Sequence, residues 1–253
     1  QPQEHTKEHL SPAFNIRLPP PEARLSTLDP SRELIFYCRS GRRSKAAASM
    51  ALEDMTPSPP AVYNMLGGIS AWSGQTLPDY PRVEAFDQNS SLEELLHQAI
   101  DLEKGAYLFY EQVNRMWPEA DLSAVRDMER AHARAVYHLL QRRQDMDQTF
   151  DQLFAQLPGL TLEGGRSLQD MLDALQAYDQ GGCLALAEIA LDIESSAYDL
   201  YRHLADTASD AQQEKDLLLL AEQEKGHMHI VIKKLPECLS REQESGIGNW
   251  PEE

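Results

Sequence analysis

Four glutamates and two histidines occupy positions where a packed helix ordinarily keeps apolar residues. After Ser91 the apolar side chains recur at helical spacing, through Leu92, Leu95, Leu96, Ala99, Ile100, Tyr107 and Tyr110, and Glu103 interrupts that stripe. Glu194 interrupts a second stripe between Leu191 and Tyr198. Glu129 and His132 are three residues apart, as are Glu224 and His227, so each pair projects from one face of its helix. Those faces also carry Val136 and Leu139 in one case and Leu220 and Val231 in the other. Charge turned into an apolar core is prohibitively costly unless something compensates it, and two divalent metal ions would do so.

The same half of the chain repeats itself. "AIDLEKGAYLFYEQV" (Ala99 to Val113) aligns without gaps on "ALDIESSAYDLYRHL" (Ala190 to Leu204), and "ERAH" (Glu129 to His132) matches "EKGH" (Glu224 to His227). A capping box, Ser91 with Glu94, starts the first long helix. Three more are predicted at about Leu122–Asp145, Gly182–Asp206 and Ser209–Leu235. The stretch Met146 to Gly181 then forms a long crossover holding one short helix at Ser167–Tyr178. A duplicated helical hairpin with one long crossover is the connectivity of a ferritin-like four-helix bundle. One Glu from each of two helices with a Glu-x-x-His from each of the others is the known ligand set of di-iron carboxylate bundles. His229 faces away from His227 at 3.6 residues per turn, and His97, His138 and His203 lack a glutamate three residues before them.

On "LEKGAYLFY", "MERAH", "IESSAYDLY" and "EQEKGH", residues 91–239 resemble the rubrerythrin branch of the ferritin-like superfamily. The resemblance implies Glu103, Glu129, His132, Glu194, Glu224 and His227 as ligands of two iron ions, with manganese or zinc as other occupants. It implies peroxide reduction with electrons from an external rubredoxin-like donor, and a homodimer. Many rubrerythrins carry an extra glutamate one turn after the third-helix ligand, where this chain has Ala197, which leaves oxidase or ferroxidase chemistry open. No CxxC pair is present for an iron centre of the rubredoxin type. Tyr107, Tyr110, Tyr198 and Tyr201 stand near the ligands, with aromatic packing as their expected role.

The first 81 residues have another texture, rich in proline with short apolar runs, and read as an α/β domain. "ELIFYC" (Glu33 to Cys38) reads as a buried strand, and "SKAAASMALEDM" as the helix after it. The loop between them sets Cys38 beside Arg39, Ser40, Gly41, Arg42, Arg43 and Ser44. Backbone N–H groups, a helix N-terminus and three guanidinium charges would each favour the thiolate, which is the nucleophilic form. This loop resembles that of the rhodanese family, as do "HLSPAFNI" (His9 to Ile16) and "VYNMLGGISAW" (Val62 to Trp72). The resemblance implies a persulfide on Cys38, filled from a donor such as thiosulfate and emptied onto a thiol or cyanide. Related phosphatases use Cys-x5-Arg, but position 44 is Ser and Arg43 falls one residue early, which favours sulfur over phosphate. A family strand and an Asp-x-Arg motif would precede Gln1, so the expectation is a rhodanese-like domain without its first strand. Glu8 and Pro12 replace two family glycines.

The net charge of -18 argues against nucleic acid, and no apolar run is long enough to span a membrane. Cys38, Cys183 and Cys238 are odd in number and widely spaced, which predicts reduced thiols in a cytoplasmic protein. The organisation expected is therefore an α/β rhodanese-like domain at 1–81, a linker at 82–90, an all-α ferritin-like bundle at 91–239 and a polar tail at 240–253. The fusion suggests sulfurtransferase and di-iron oxidoreductase activities in sulfur metabolism or oxidative-stress defence. The alternative is a non-enzymatic iron-binding or storage protein with the rhodanese half as a docking module.

Overall fold

The computed structural model describes residues 2–17, 25–74, 90–176, 182–208 and 210–245. The predicted linker, apart from Ser90, and the last eight residues of the predicted tail, 246–253, lie outside them. The chain divides into two compact units: residues 1–79 with the short span 232–236, and residues 80–231 with 237–253.

In the first unit, helix α1 (Pro2–Lys7) comes before a pair of parallel strands, β1 (Leu34–Phe36) and β2 (Val62–Asn64), with Leu34 opposite Val62 and Phe36 opposite Asn64. Parallel strands need a crossover. Helix α2 (Arg42–Asp54) supplies it and packs on both strands, while the short α3 (Gly68–Trp72) follows β2. Ala51 and Met55 close a small core with Leu25, against which Leu34 and Phe36 pack. The expectation of a buried strand is corrected here: Ile35 is 68% exposed and Tyr63 49%. Alternate residues of a strand point to opposite faces, and α2 covers only one of them.

The remainder is mostly helical. Its helices are α4 (Leu92–Met116), α5 (Ser123–Gln141), α6 (Phe150–Gln156), α7 (Leu168–Gln176), α8 (Gly182–Thr207) and α9 (Ala211–Ser245). The Ser91 hydroxyl accepts from the Glu94 N–H, and the Glu94 carboxylate accepts from the Ser91 N–H at 2.8 Å, so the expected capping box starts α4. Leu96, Ile100, Val136, Leu140, Leu200, Leu204 and Leu217 form one core drawn from α4, α5, α8 and α9. Each such side chain contributes on the order of 1.5–3 kcal/mol when fully buried. Among the described residues no helix is long and apolar enough to cross a membrane.

Three helix expectations change. Helix α5 ends at Gln141, four residues before Asp145, where the polar run of Arg142 and Arg143 turns outward to Asp216 and Glu93. Helix α6 was not read from the sequence, although Thr149 and Gln152 form a second capping box. Helix α9 continues ten residues past Leu235, through Pro236. Proline removes a helical hydrogen bond and ordinarily breaks the helix, but here the turns beyond it are tied to α8 by a disulfide between Cys183 and Cys238.

That disulfide overturns the expectation of three reduced thiols. The two α-carbons lie 5.7 Å apart across a sequence separation of 55 residues, and only Cys38 stays free. No spacing motif announces it, because the pairing depends on where two distant helix segments meet. The crosslink closes a long loop and so restricts the unfolded chain. Replacing both Cys183 and Cys238 by serine is expected to lower the stability of the helical unit by about 2–4 kcal/mol, measured by urea unfolding under far-ultraviolet circular dichroism.

Candidate functional site

The first candidate site sits where β1 gives way to α2. The Cys38 Sγ accepts from the Gly41 N–H at 3.2 Å and from the Ser44 hydroxyl at 3.5 Å, and it lies half-buried at the head of α2. The first-turn N–H groups of a helix are unsatisfied within it and favour negative charge. The segment after β2 closes the loop from the other side: the Ile69 N–H donates to the Cys38 carbonyl at 2.9 Å and the Ser70 N–H to the Arg39 carbonyl at 3.0 Å. Gly68 makes this approach possible, since a Cβ there would stand 2.2 Å from the Cys38 carbonyl oxygen and its φ is +58°. A cavity of about 630 Å³ opens over the sulfur, lined by Phe14, Phe36, Cys38, Arg39 and Ser44 among others.

The arginines do not act alike. Arg43 is buried at 4% exposure, and its two terminal nitrogens donate to the Glu4 carboxylate at 2.7 Å each; the Arg39 Nε lies 3.8 Å from the same carboxylate. Burial would raise the Glu4 pKa, but the Arg43 guanidinium outweighs it and holds the carboxyl at about 2. Arg43 therefore ties α1 to α2. Its partner Glu4 is 39 residues away, which no local reading of the loop includes.

The second candidate site lies inside the helical unit. Glu103 from α4, Glu129 and His132 from α5, Glu194 from α8, and Glu224 and His227 from α9 are all buried, at 5% exposure or less. They form three overlapping sets whose potential ligand atoms lie within 4.8 Å of one another: Glu129 with His132 and His227, Glu103 with His132 and Glu224, and Glu194 with Glu224 and His227. The His132 Nδ1 lies 2.7 Å from the Glu224 Oε1, and the His227 Nδ1 lies 3.2 Å from the Glu224 Oε2, so one carboxylate spans both imidazoles. The His227 Nδ1 also reaches Glu194 at 2.9 Å and Glu129 at 3.2 Å. The two rings stack, 4.6 Å between centroids. The other four histidines considered in the sequence belong to none of these sets.

Burial and neighbouring charge set the protonation of the cluster's side chains. Burial pushes Glu103 well up, with the charge of Glu224 adding to it, and pushes Glu129 well up with the charge of Glu194; burial also raises Glu194 against the pull of His227. Burial opposes ionisation of Glu224 too, but the two imidazoles win and hold it at about 2. Both histidines are raised in turn, against burial, by the surrounding carboxylates. Four carboxylates and two imidazoles still leave two uncompensated negative charges when all are ionised. The Glu103 Oε2 is buried without a hydrogen-bond partner. Hard oxygen donors mixed with imidazole nitrogens suit iron, manganese or zinc, so the residues fit a pair of such ions.

Two tyrosines do more than pack. The Tyr110 hydroxyl donates to the Glu194 Oε1, and the Tyr201 hydroxyl to the Glu103 Oε1, so each repeat supplies a phenol to the other repeat's glutamate. Burial, with the carboxylate charge, pushes both phenols well above their ordinary range and keeps them as donors. Tyr107 does take the expected packing role, edge-on to Phe154, and Tyr198 accepts from Arg202 at 3.0 Å. The sequence reading also missed Glu163, 4% exposed in the crossover segment; its apolar neighbour Leu162 and the Gly164–Gly165 pair were the available signal.

A parallel strand pair with a helix crossover and a cysteine-headed loop at the strand end defines a small α/β module. Residues 1–75 match the rhodanese-like domain family. A Bacillus subtilis (strain 168) protein named "Putative sulfurtransferase YtwF" is 34% identical over 76 residues, covering 30% of this chain and 70% of the relative. The chain belongs to the rhodanese-like family through this domain. No solved structure matches it.

Replacing Glu4 by glutamine removes the carboxylate charge from beside the buried Arg43 guanidinium. Breaking a buried pair costs about 3–5 kcal/mol, and the one-third exposure of Glu4 reduces the expected loss to about 1–3 kcal/mol. A carboxyl whose folded pKa is depressed contributes above its ordinary pKa of 4.5 and loses that contribution as pH falls toward about 2. Hydrogen exchange of the α2 amides should therefore differ between wild type and Glu4→Gln at neutral pH, with the difference shrinking over that acid window.

Proposed function

We propose that the chain joins two chemistries: sulfur transfer at Cys38, and redox chemistry at a di-metal centre held by Glu103, Glu129, His132, Glu194, Glu224 and His227. The sulfur-transfer reading is supported by the family match and by the relative's name. The observation that carries it is the Cys38 sulfur held by the Gly41 N–H and the Ser44 hydroxyl at the head of a helix, facing a cavity. The Cys38 thiolate attacks the outer sulfur of a donor such as thiosulfate. A sulfur–sulfur bond forms to Cys38, the donor's own sulfur–sulfur bond breaks, and sulfite leaves with the electron pair. A thiolate or cyanide then attacks the terminal sulfur of the persulfide, taking it as a new persulfide or as thiocyanate and returning Cys38 as thiolate. Ser44 and Gly41 hold the sulfur in place through both steps. The loop ends in Ser44 where phosphate-cleaving relatives of this fold keep an arginine, which is why sulfur is the cargo in this reading.

The metal reading rests on the buried cluster, whose residual charge and orphaned Glu103 oxygen call for cations. The helices carrying it are read as a ferritin-like bundle of the rubrerythrin type, drawing electrons from an external rubredoxin-like donor and serving oxidative-stress or sulfur metabolism. A bound iron pair supplies one-electron and peroxide or oxygen chemistry that side chains lack. The protein's own residues orient and seal that site. Tyr110 and Tyr201 each hold a proton at a ligand carboxylate, and the leucine-rich core of α4, α5, α8 and α9 excludes water.

Two measurements test the two halves separately. Cys38→Ser is expected to lower thiosulfate-to-cyanide sulfur transfer by at least about 1,000-fold, and an unchanged rate would overturn the persulfide. Metal analysis of the purified protein is expected to find about two ions per chain, falling below about one when Glu129→Ala and Glu224→Ala are combined. An unchanged content would remove the di-metal centre.

A further inference from the structure

Glu163 is a buried carboxylate that the six-residue set does not use. Its residue is 4% exposed, and neither carboxylate oxygen has a hydrogen-bond partner on another residue. The charges that act on it most are those of Glu103, then Glu224 and Glu194, all members of the cluster. Burying an unpartnered carboxylate within the field of other buried carboxylates is among the costliest arrangements a core can hold. The Glu103 Oε2 is orphaned in the same way.

The backbone shows that Glu163 is placed there by construction. Its segment is a tight reversal, with the Leu162 N–H donating to the Arg166 carbonyl at 2.9 Å and the Leu168 N–H to the Leu160 carbonyl at 2.8 Å. Three contacts press the approach to it onto α4 within one turn of Glu103. The Gly159 N–H donates to Asp101 at 2.8 Å, Lys104 donates to the Phe154 carbonyl at 3.1 Å, and the Thr161 carbonyl sits so close to Gly105 that a Cβ there would be 2.2 Å from it. Gly105 is two residues after Glu103, and Thr161 is two before Glu163.

We propose that Glu163 is a seventh protein ligand of the metal centre, brought by the crossover segment rather than by a long helix to the metal ion that Glu103 holds. The proposal rests on the di-metal reading above. Glu163 lies outside the 4.8 Å sets formed by the six, so it joins them when the cation draws its carboxylate and the orphaned Glu103 Oε2 together. With Glu163 the ligands carry five negative charges, between the four positive charges of a divalent pair and the six of a trivalent pair. Four carboxylates alone would match only the divalent pair.

Cobalt(II) titration of the whole protein, followed by its visible spectrum and by direct metal analysis, tests this with Glu163→Gln and Glu224→Gln. Wild type is expected to take two ions, and Glu224→Gln to lose binding at both. Glu163→Gln is expected to weaken one ion by about 10- to 100-fold, change that ion's absorption and leave the other unaltered. Its metal-free form should melt at the same temperature as wild type or higher, because a buried carboxyl without a partner has been removed. A structural role would move that melting temperature the other way. Two full-affinity ions with an unchanged spectrum in Glu163→Gln would overturn the seventh ligand and leave the six-residue centre standing. A Glu163→Gln protein that melts lower or fails to fold without metal overturns it too, by giving the carboxylate a structural task. Wild type that binds no cobalt, or a Glu224→Gln protein that binds as wild type does, overturns the six-residue reading on which the proposal stands.

Discussion

The helical unit is organised around an excess of negative charge that its own cations cannot cancel. Glu103, Glu194 and Glu224 are fully buried, Glu129 nearly so, and two imidazoles are the nearest positive groups. An isolated carboxylate in a low-dielectric core costs several kcal/mol even after relaxation, and the upward shifts of Glu103, Glu129 and Glu194 express that cost. The surrounding features follow from it. The long leucine-rich stripes offset the burden with apolar burial, the tyrosine hydroxyls occupy carboxylate lone pairs, and Glu224 is shared between both rings.

The first unit handles charge in the opposite way. Its cysteine stays half-exposed beside a cavity, and the sulfur is met by backbone and hydroxyl donors, which need no counter-charge in the core. The buried arginine of the loop, Arg43, pairs with Glu4 and holds α1 against α2. The arginine-rich loop is thus part scaffold. The two strands among the described residues bury little apolar surface, so the ion pair between α1 and α2 adds to the backbone bonds from Ile69 and Ser70 that hold that loop.

What the sequence made legible was whatever repeats along one element. The i, i+3 pairs Glu129–His132 and Glu224–His227, the gapless repeat around Glu103 and Glu194, and the Ser91 capping box each lie within one helix, and each is found in the structure. What stayed hidden depends on two segments meeting. Cys183 with Cys238, Arg43 with Glu4, and Tyr201 with Glu103 join residues 55, 39 and 98 positions apart, and no periodicity encodes such partners. Ile35 shows the reverse error: its apolar run suggested burial on both faces, and among the described residues it stands 68% exposed, a tertiary fact. Glu163 fell between these cases, because the turn at Gly164 and Gly165 was visible but the surface it presses against was not.

Duplication and its breaking also set what the cluster can do. The repeat makes two half-sites that mirror each other, down to Tyr110 on Glu194 and Tyr201 on Glu103. A strictly symmetric centre would hold both ions alike. Yet a chain that joins two hairpins needs one connection between them, and that connection can lie over only one half-site. Here it is pinned to α4 through Asp101, Lys104 and Gly105, on the Glu103 side. Topology alone therefore makes the two halves unequal, even where every helical ligand is duplicated. In the di-metal reading this is the physical origin of two ions with different surroundings, a condition for one of them to change its ligands while the other stays fixed.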